Sequence, residues 1–189
     1  MPSELLSEAD LLRLRDLVKA SIARGTVTLA SGKTSDFYVD GRLVTLSPEG
    51  SLLIGKACLA AAKQRGATAV VGPVTGACPM VTAAGLLAAQ EGTALKLAYV
   101  RAEPKGHGLQ KAIEGPALSK DDRVLVVDDV MTSGGSVLKA IERLKAEVGC
   151  TVLAALTVVD REAGGREALA KAGVELVAVL SKRQLVATS

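Results

Sequence analysis

VLVVDDVMTSGGS, residues 124–136, joins an apolar run to two adjacent acids and then to a turn of small residues. Val124 to Val127 reads as a buried parallel strand. Such a strand delivers Asp128 and Asp129 to the carboxyl edge of its sheet, where open α/β proteins bind their ligands. Val130 and Met131 lead to a small-residue turn, Thr132-Ser133-Gly134-Gly135-Ser136, and a helical pattern opens at Val137. Hydroxyls and successive backbone N–H groups at the start of a helix suit a phosphate. Acids for sugar hydroxyls or a metal, beside an anion cradle, describe a site for a phosphorylated sugar. One acid and one glycine would serve loop geometry alone, but this pair of acids with five turn residues exceeds that need. No Gly-Lys-Ser/Thr follows at P-loop spacing, and G-x-G-x-x-G is absent.

The chain has 189 residues, 49% of them hydrophobic, with Phe37, Tyr38 and Tyr99 as its aromatics. That length suits one domain, residues 1–189, with a full core and no disulfide or metal staple. Val-rich strands and Ala-rich helices suit a helix-covered parallel sheet. No apolar run reaches the roughly eighteen residues of a membrane span. The N-terminus carries acids where a secretion signal needs lysines. Cys58, Cys78 and Cys150 are odd in number and lie in apolar segments, as reduced thiols of a cytoplasmic protein do. A net charge of +3 is compatible with an anionic small substrate and argues little for nucleic acid.

Ser7 predicts a helix start, with an apolar face running to about Arg24 and Gly25 ending it. Thr26–Ala30 and Asp36–Val39 predict a hairpin through Ser31-Gly32-Lys33. Ser47-Pro48-Glu49 predicts a helix running to Arg65 and stopping at Gly66. Strands are then expected at Ala69–Gly72, Leu95–Val100, Val124–Val127, Val152–Val159 and Val174–Leu180. Helices are expected at Met80–Gln90, Val137–Glu147 and Glu162–Ala172. Alternating βα units imply a parallel sheet covered on both faces, with the hairpin as an appendage.

Three further stretches carry candidate ligand groups. In Gly72-Pro73-Val74-Thr75-Gly76, glycines let the backbone approach a ligand, although a tight βα turn would use the same residues. Residues 101–115 hold Arg101, Lys105, Lys111 and His107, the sole histidine, among glycines. A polar loop of that length in a compact domain reads as a lid over a polyanion. Phe37 and Tyr38 alternate along a strand, so one can pack inward while the other lies over a flat base. Arg161, just past a strand end, can grip a carboxylate in bidentate fashion or pair with Glu162.

The 124–136 segment resembles the 5-phosphoribosyl-1-pyrophosphate (PRPP) signature of type I phosphoribosyltransferases. TLASGKTSDFYVDGR (residues 28–42) resembles the hood of the orotate-specific members, RAEPKGHGLQKAIEG (101–115) their mobile catalytic loop, and VVDREAGG (158–165) their orotate-contacting strand end. The resemblance runs from about Leu11 to Leu185 and implies an α/β type I phosphoribosyltransferase fold, with a hood built mainly from residues 1–45. It implies transfer of the phosphoribosyl group from PRPP to orotate N1, giving orotidine 5′-monophosphate and pyrophosphate. Residues 128–136 would bind PRPP, with Arg101, Lys105 and His107 acting on the leaving group beside Asp128 and Asp129. Pro73, Val74, Thr75 and Gly76 would form the pyrophosphate loop, and Phe37, Tyr38, Thr132 and Arg161 would hold orotate. Mg²⁺ would travel with PRPP, near Asp128 and Asp129, and a homodimer would share its sites through the mobile loop.

Two positions depart from the pattern. Ala102 stands where relatives often carry lysine after the loop's first arginine, and Ala30 where many carry a hood lysine. A purine phosphoribosyltransferase and a PRPP-sensing regulator are the alternatives. The hood and loop argue against the first, and the lack of a basic stripe against the second.

Overall fold

The computed structural model describes residues 5–23, 27–28, 34–35, 37–102 and 112–187. Helix α1 (Glu8–Ala20) begins where expected, with Ser7 Oγ accepting from the Asp10 amide at 3.1 Å. It ends four residues before Arg24, because Ile22–Ala23 leaves the helix to form strand β1. Strands β2 (Val27–Thr28) and β3 (Thr34–Ser35) pair with each other, antiparallel. The expected hairpin is thus split, for strand β4 (Tyr38–Val39) pairs with β1 instead. A short helix α2 (Gly41–Thr45), capped by Asp40, was not legible in the sequence. Helix α3 (Pro48–Arg65) matches its expected span: Ser47 Oγ caps it, and Gly66 closes it with φ of 62°.

The sheet follows. Strand β5 (Ala69–Pro73) leads to α4 (Cys78–Gln90) and β6 (Lys96–Val100). A two-residue β7 (Ile113–Glu114) comes next, then β8 (Arg123–Met131) and α5 (Gly135–Arg143), which continues as one π turn to Val148. Strand β9 (Thr151–Asp160), α6 (Gly165–Lys171), β10 (Leu176–Ser181) and α7 (Lys182–Val186) complete the order. The six strands lie as β10-β9-β8-β5-β6-β7, all parallel except β7, which runs antiparallel to β6. The α6 start moves from the expected Glu162 to Gly165, since Glu162 and Gly164 both take positive φ and cannot continue a helix.

Strand alternation divides the core between the two faces. Leu125 and Val127 face one way, packing with Leu53, Ile54 and Met80. Val124 and Val126 face the other, with Val137, Ile141 and Leu169. Burying each such leucine or isoleucine contributes about 1.5–3 kcal/mol. Cys58 and Cys150 are buried thiols within this packing, and Cys78 is half-buried; all three are free.

One feature of the topology positions the site. From β5 the chain winds outward through β6 and β7, whereas from β8 it winds the opposite way through β9 and β10. Connections therefore diverge between β5 and β8, which opens a crevice at their carboxyl ends. Pairing of β8 with β5 stops at Val126, but pairing with β9 runs on to Met131. The strand is longer than its apolar run predicts. Asp128 and Asp129 lie within it, held by the β9 ladder, rather than in a loop beyond it.

Candidate active site

A cleft of about 390 Å³ fills that crevice. Its floor is the turn from Thr132 to Ser136, and its walls include Pro73, Val74, Arg101 and Asp128. Gly134 caps α5 at φ 81°, a conformation that lets the turn close without a Cβ penalty. The loop after β5 contributes a cis peptide between Val74 and Thr75, and the Val74 amide donates to the Val100 carbonyl at 2.9 Å. Arg101 enters from the end of β6, where its backbone N–H donates to the Ala112 carbonyl at 2.8 Å and its guanidinium pairs with Glu114. Lys105, His107 and Ala30 lie outside the described residues.

A second cavity, about 240 Å³, lies on the hood side, lined by Tyr38, Arg42, Asp129, Thr132 and Arg161 among others. Thr132 and Val130 line both cavities and form the ridge where they meet. The turn pattern placed Thr132 at a phosphate and the family resemblance placed it at the base, and the residue lies at the junction of the two cavities. Tyr38 and Arg161 share the smaller cavity. Phe37 packs into the core at 4% exposure, with the Lys182 ammonium 5.3 Å from its ring centre. The Phe37 backbone carbonyl accepts a 2.6 Å hydrogen bond from Arg161 Nη2.

The two acids differ in surroundings. Asp128 faces the larger cleft and accepts from the Asp129 amide at 3.1 Å. Burial, with the neighbouring charge of Asp129 second, pushes its carboxyl up to about 7. Asp129 faces the hood-side cavity and is likewise raised by burial, while the Val130 amide (2.8 Å) and the charge of Arg42 pull it back. Glycine is required on both flanks of that carboxylate: a Cβ on Gly41 would meet Asp129 Oδ2 at 2.5 Å, and one on Gly76 would meet Oδ1 at 2.7 Å. Gly76 thus backs Asp129, and neither it nor Thr75 lines the large cleft.

Sequence reading missed Arg42, Lys139 and Arg143. Lys139 and Arg143 line the large cleft from α5, and Arg143 Nη2 donates to the Ala102 carbonyl at 2.8 Å. Their signal was present in the spacing of Ser136, Lys139, Ala140 and Arg143, which recur on one helical face just after the phosphate turn. Arg42 lines the hood-side cavity near Asp129. Its position, two residues after the capping Asp40, gives no periodic signal.

As a chemical device, the larger cleft combines a backbone-rich turn, three cations and one carboxylate. It suits a ligand with phosphate groups and a sugar. The smaller cavity combines an aromatic ring with two guanidinium groups and two carboxylates, Asp40 and Asp129; Asp40 pairs with Arg42, which leaves Arg161 beside Tyr38 as the group suited to a flat ring bearing a carboxylate. Among the described residues, no three His, Cys, Asp or Glu side chains converge as a metal cage. One or two carboxylates beside a phosphate cleft fit Mg²⁺, which keeps most of its coordination for water and substrate phosphates.

Comparison with known proteins agrees with this chemistry. Residues 53–180 match the phosphoribosyl transferase domain family. The chain is 46% identical over 162 residues to the orotate phosphoribosyltransferase of Rhodopirellula baltica, covering 82% of this chain and 83% of that one. It superposes with a TM-score of 0.81 on the crystal structure of Mycobacterium tuberculosis orotate phosphoribosyltransferase in complex with Fe(III) dicitrate, at 36% identity over 94% of this chain and 99% of that one. The PRPP complex of the same enzyme gives 0.76 and 34%, over 93% and 98% of the two chains. With its fold, its crevice and most of its length matched, the chain belongs to the phosphoribosyltransferase family, among the orotate phosphoribosyltransferases.

Proposed function

We propose that this protein joins orotate to the phosphoribosyl group of PRPP. Orotate N1 attacks C1 of the ribose as pyrophosphate leaves, giving orotidine 5′-monophosphate for pyrimidine synthesis. The observation that carries the reading is the meeting of a phosphate cleft and a guanidinium-lined flat cavity at Thr132 and Val130. A base held by Tyr38 and Arg161 would present its ring nitrogen to a ribose lying over that ridge. The solved PRPP complex of the tuberculosis relative supports PRPP as the co-substrate.

Positive charge grows on the ribose as the bond to pyrophosphate breaks, and negative charge grows on the departing oxygens. Asp128 and Asp129, ionised, would accept from ribose hydroxyls and favour the first. Arg101, with Lys105 and His107 from the loop that follows, would meet the second. Pro73 and Val74 would bound the pyrophosphate from the cleft wall, with Gly76 behind them against Asp129, and residues 130–136 would hold the 5′-phosphate. Mg²⁺ would be held chiefly by PRPP with Asp128 or Asp129 at its edge, where it would screen the clustered phosphate charge.

One domain serves these roles, and the proposed assembly is a cytoplasmic homodimer whose 101–115 segments complete each other's sites. Exposed Leu43 and Leu46, at 64% and 68%, supply apolar surface for such an interface. Among the described residues, no helix is long and apolar enough to cross a membrane. The test is an absorbance assay of orotate consumption with PRPP and Mg²⁺, alongside adenine and hypoxanthine. Orotate-specific turnover with pyrophosphate release is expected. Turnover with a purine instead would favour a purine enzyme, and tight PRPP binding without release would favour a PRPP sensor.

A further inference from the structure

Glu162 is the single non-glycine residue with positive φ, 53°, among the described residues. Left-handed backbone is costly for a residue with a Cβ, and it persists where surrounding contacts over-determine it. Those contacts are explicit. The Glu162 amide donates to Asp160 Oδ1 at 2.8 Å. Asp160 is itself 2% exposed, and its other oxygen takes Arg166 at 3.2 Å. The Glu162 carboxylate accepts the Arg183 backbone amide on Oε2 at 3.0 Å and the Arg183 guanidinium on Oε1 at 3.3 Å.

The Arg183 amide belongs to the first turn of α7, where backbone donors lack helical partners. Ser181 and Gln184 cap each other there, so Glu162 satisfies a different donor. Parallel pairing brings this about: Asp160 of β9 lies opposite Ser181 of β10, and both strands end together.

Arg161 sits between these anchors. Its amide donates to the Met131 carbonyl at 2.9 Å, and its side chain crosses to the Phe37 carbonyl. Lys182, next to Arg183, reaches over the Phe37 ring. The beginning of α7 therefore touches both the residue after Arg161 and the hood residue that Arg161 holds. We propose that Glu162 is a positioning residue for Arg161: locked by Arg183, its left-handed backbone sets the direction from which Arg161 enters the base cavity. This rests on the reading of that cavity as the orotate site.

An exposed ion pair adds little to stability, and Arg183 is 84% exposed, so loss of the clasp should register in base binding rather than in melting. The test compares wild type, Glu162→Ala, Glu162→Gly and Arg183→Met for KM of orotate, KM of PRPP and melting temperature. Small misplacement of a binding group has large kinetic effects, so Glu162→Ala should raise the orotate KM about tenfold and leave the PRPP KM within about twofold. Glu162→Gly should do less harm, because glycine takes this φ without penalty. Arg183→Met should shift the orotate KM in the same direction, and it decides the matter alone if Glu162→Ala does not fold. An unchanged orotate KM, or a parallel rise in both constants, overturns the proposal while leaving the enzyme's function intact. A wild type that consumes no orotate defeats the functional reading and this proposal with it.

Discussion

Arg161 reaches across 124 positions of sequence to donate Nη2–H to the backbone carbonyl of Phe37, at 2.6 Å. The bond ties the residue after β9 to the residue before β4, on either side of the hood-side cavity. It commits one edge of the guanidinium fork to the protein and fixes the plane of the rest. Arg161→Lys should therefore lose more than a charge, since an ammonium offers no planar fork for both the carbonyl and a carboxylate. The orotate KM is expected to rise by about one to two orders of magnitude. Preference for orotate over uracil, which lacks the carboxylate, should shrink with it. Retained discrimination would assign carboxylate recognition to Arg42.

Asp128 places a stability cost within the site. Its carboxyl is raised to about 7 in the folded protein, against about 3.9 in an unfolded chain. Between these values the folded state holds a proton that the unfolded state has lost. Stability from this group is thus complete below about pH 4 and lost as pH rises through 7. At pH 8, Asp128→Asn should melt higher than wild type, by the equivalent of about 1–4 kcal/mol, with the difference vanishing near pH 4. Turnover should fall about a hundredfold. Melting curves at the two pH values check the first part, and equal curves at pH 8 would contradict the burial account.

Arg143 links α5 to Ala102 through a 2.8 Å bond and lines the larger cleft. It supplies a cation beside the position where relatives often carry lysine. Arg143→Met should lower kcat/KM for PRPP about tenfold, with the orotate KM unchanged. Ala102→Lys, which should itself raise kcat/KM, should restore part of that loss when added to Arg143→Met. Failure of the rescue would make Arg143 a structural tether only.

Sharing of sites between subunits can be read from mixed dimers of Lys105→Ala and Asp129→Asn. If the loop acts across the interface, each heterodimer keeps one intact composite site, and mixing two inactive variants restores activity. No recovery, with heterodimers shown to form, means that each subunit works alone.

Local signals in the chain determined much of this protein. Apolar runs of strand length alternating with helical periods define the βα order, and Ser47 and Gly66 mark α3 to the residue. The acid pair and small-residue turn mark the larger cleft, because strand, turn and helix start are contiguous and follow local rules. Tertiary structure decided what depends on neighbours distant in sequence. Strand β8 extends through its acids because β9 supplies ladder partners as far as Met131. Ile22 left α1 because Val39 was there to pair with it. Phe37 and Tyr38 carry no local mark of which packs inward; the core took Phe37 and left Tyr38 to the cavity. The left-handed turn at Glu162 is marked locally only by Asp160, which accepts its amide; its other anchor, Arg183, is brought near by parallel pairing of β9 with β10.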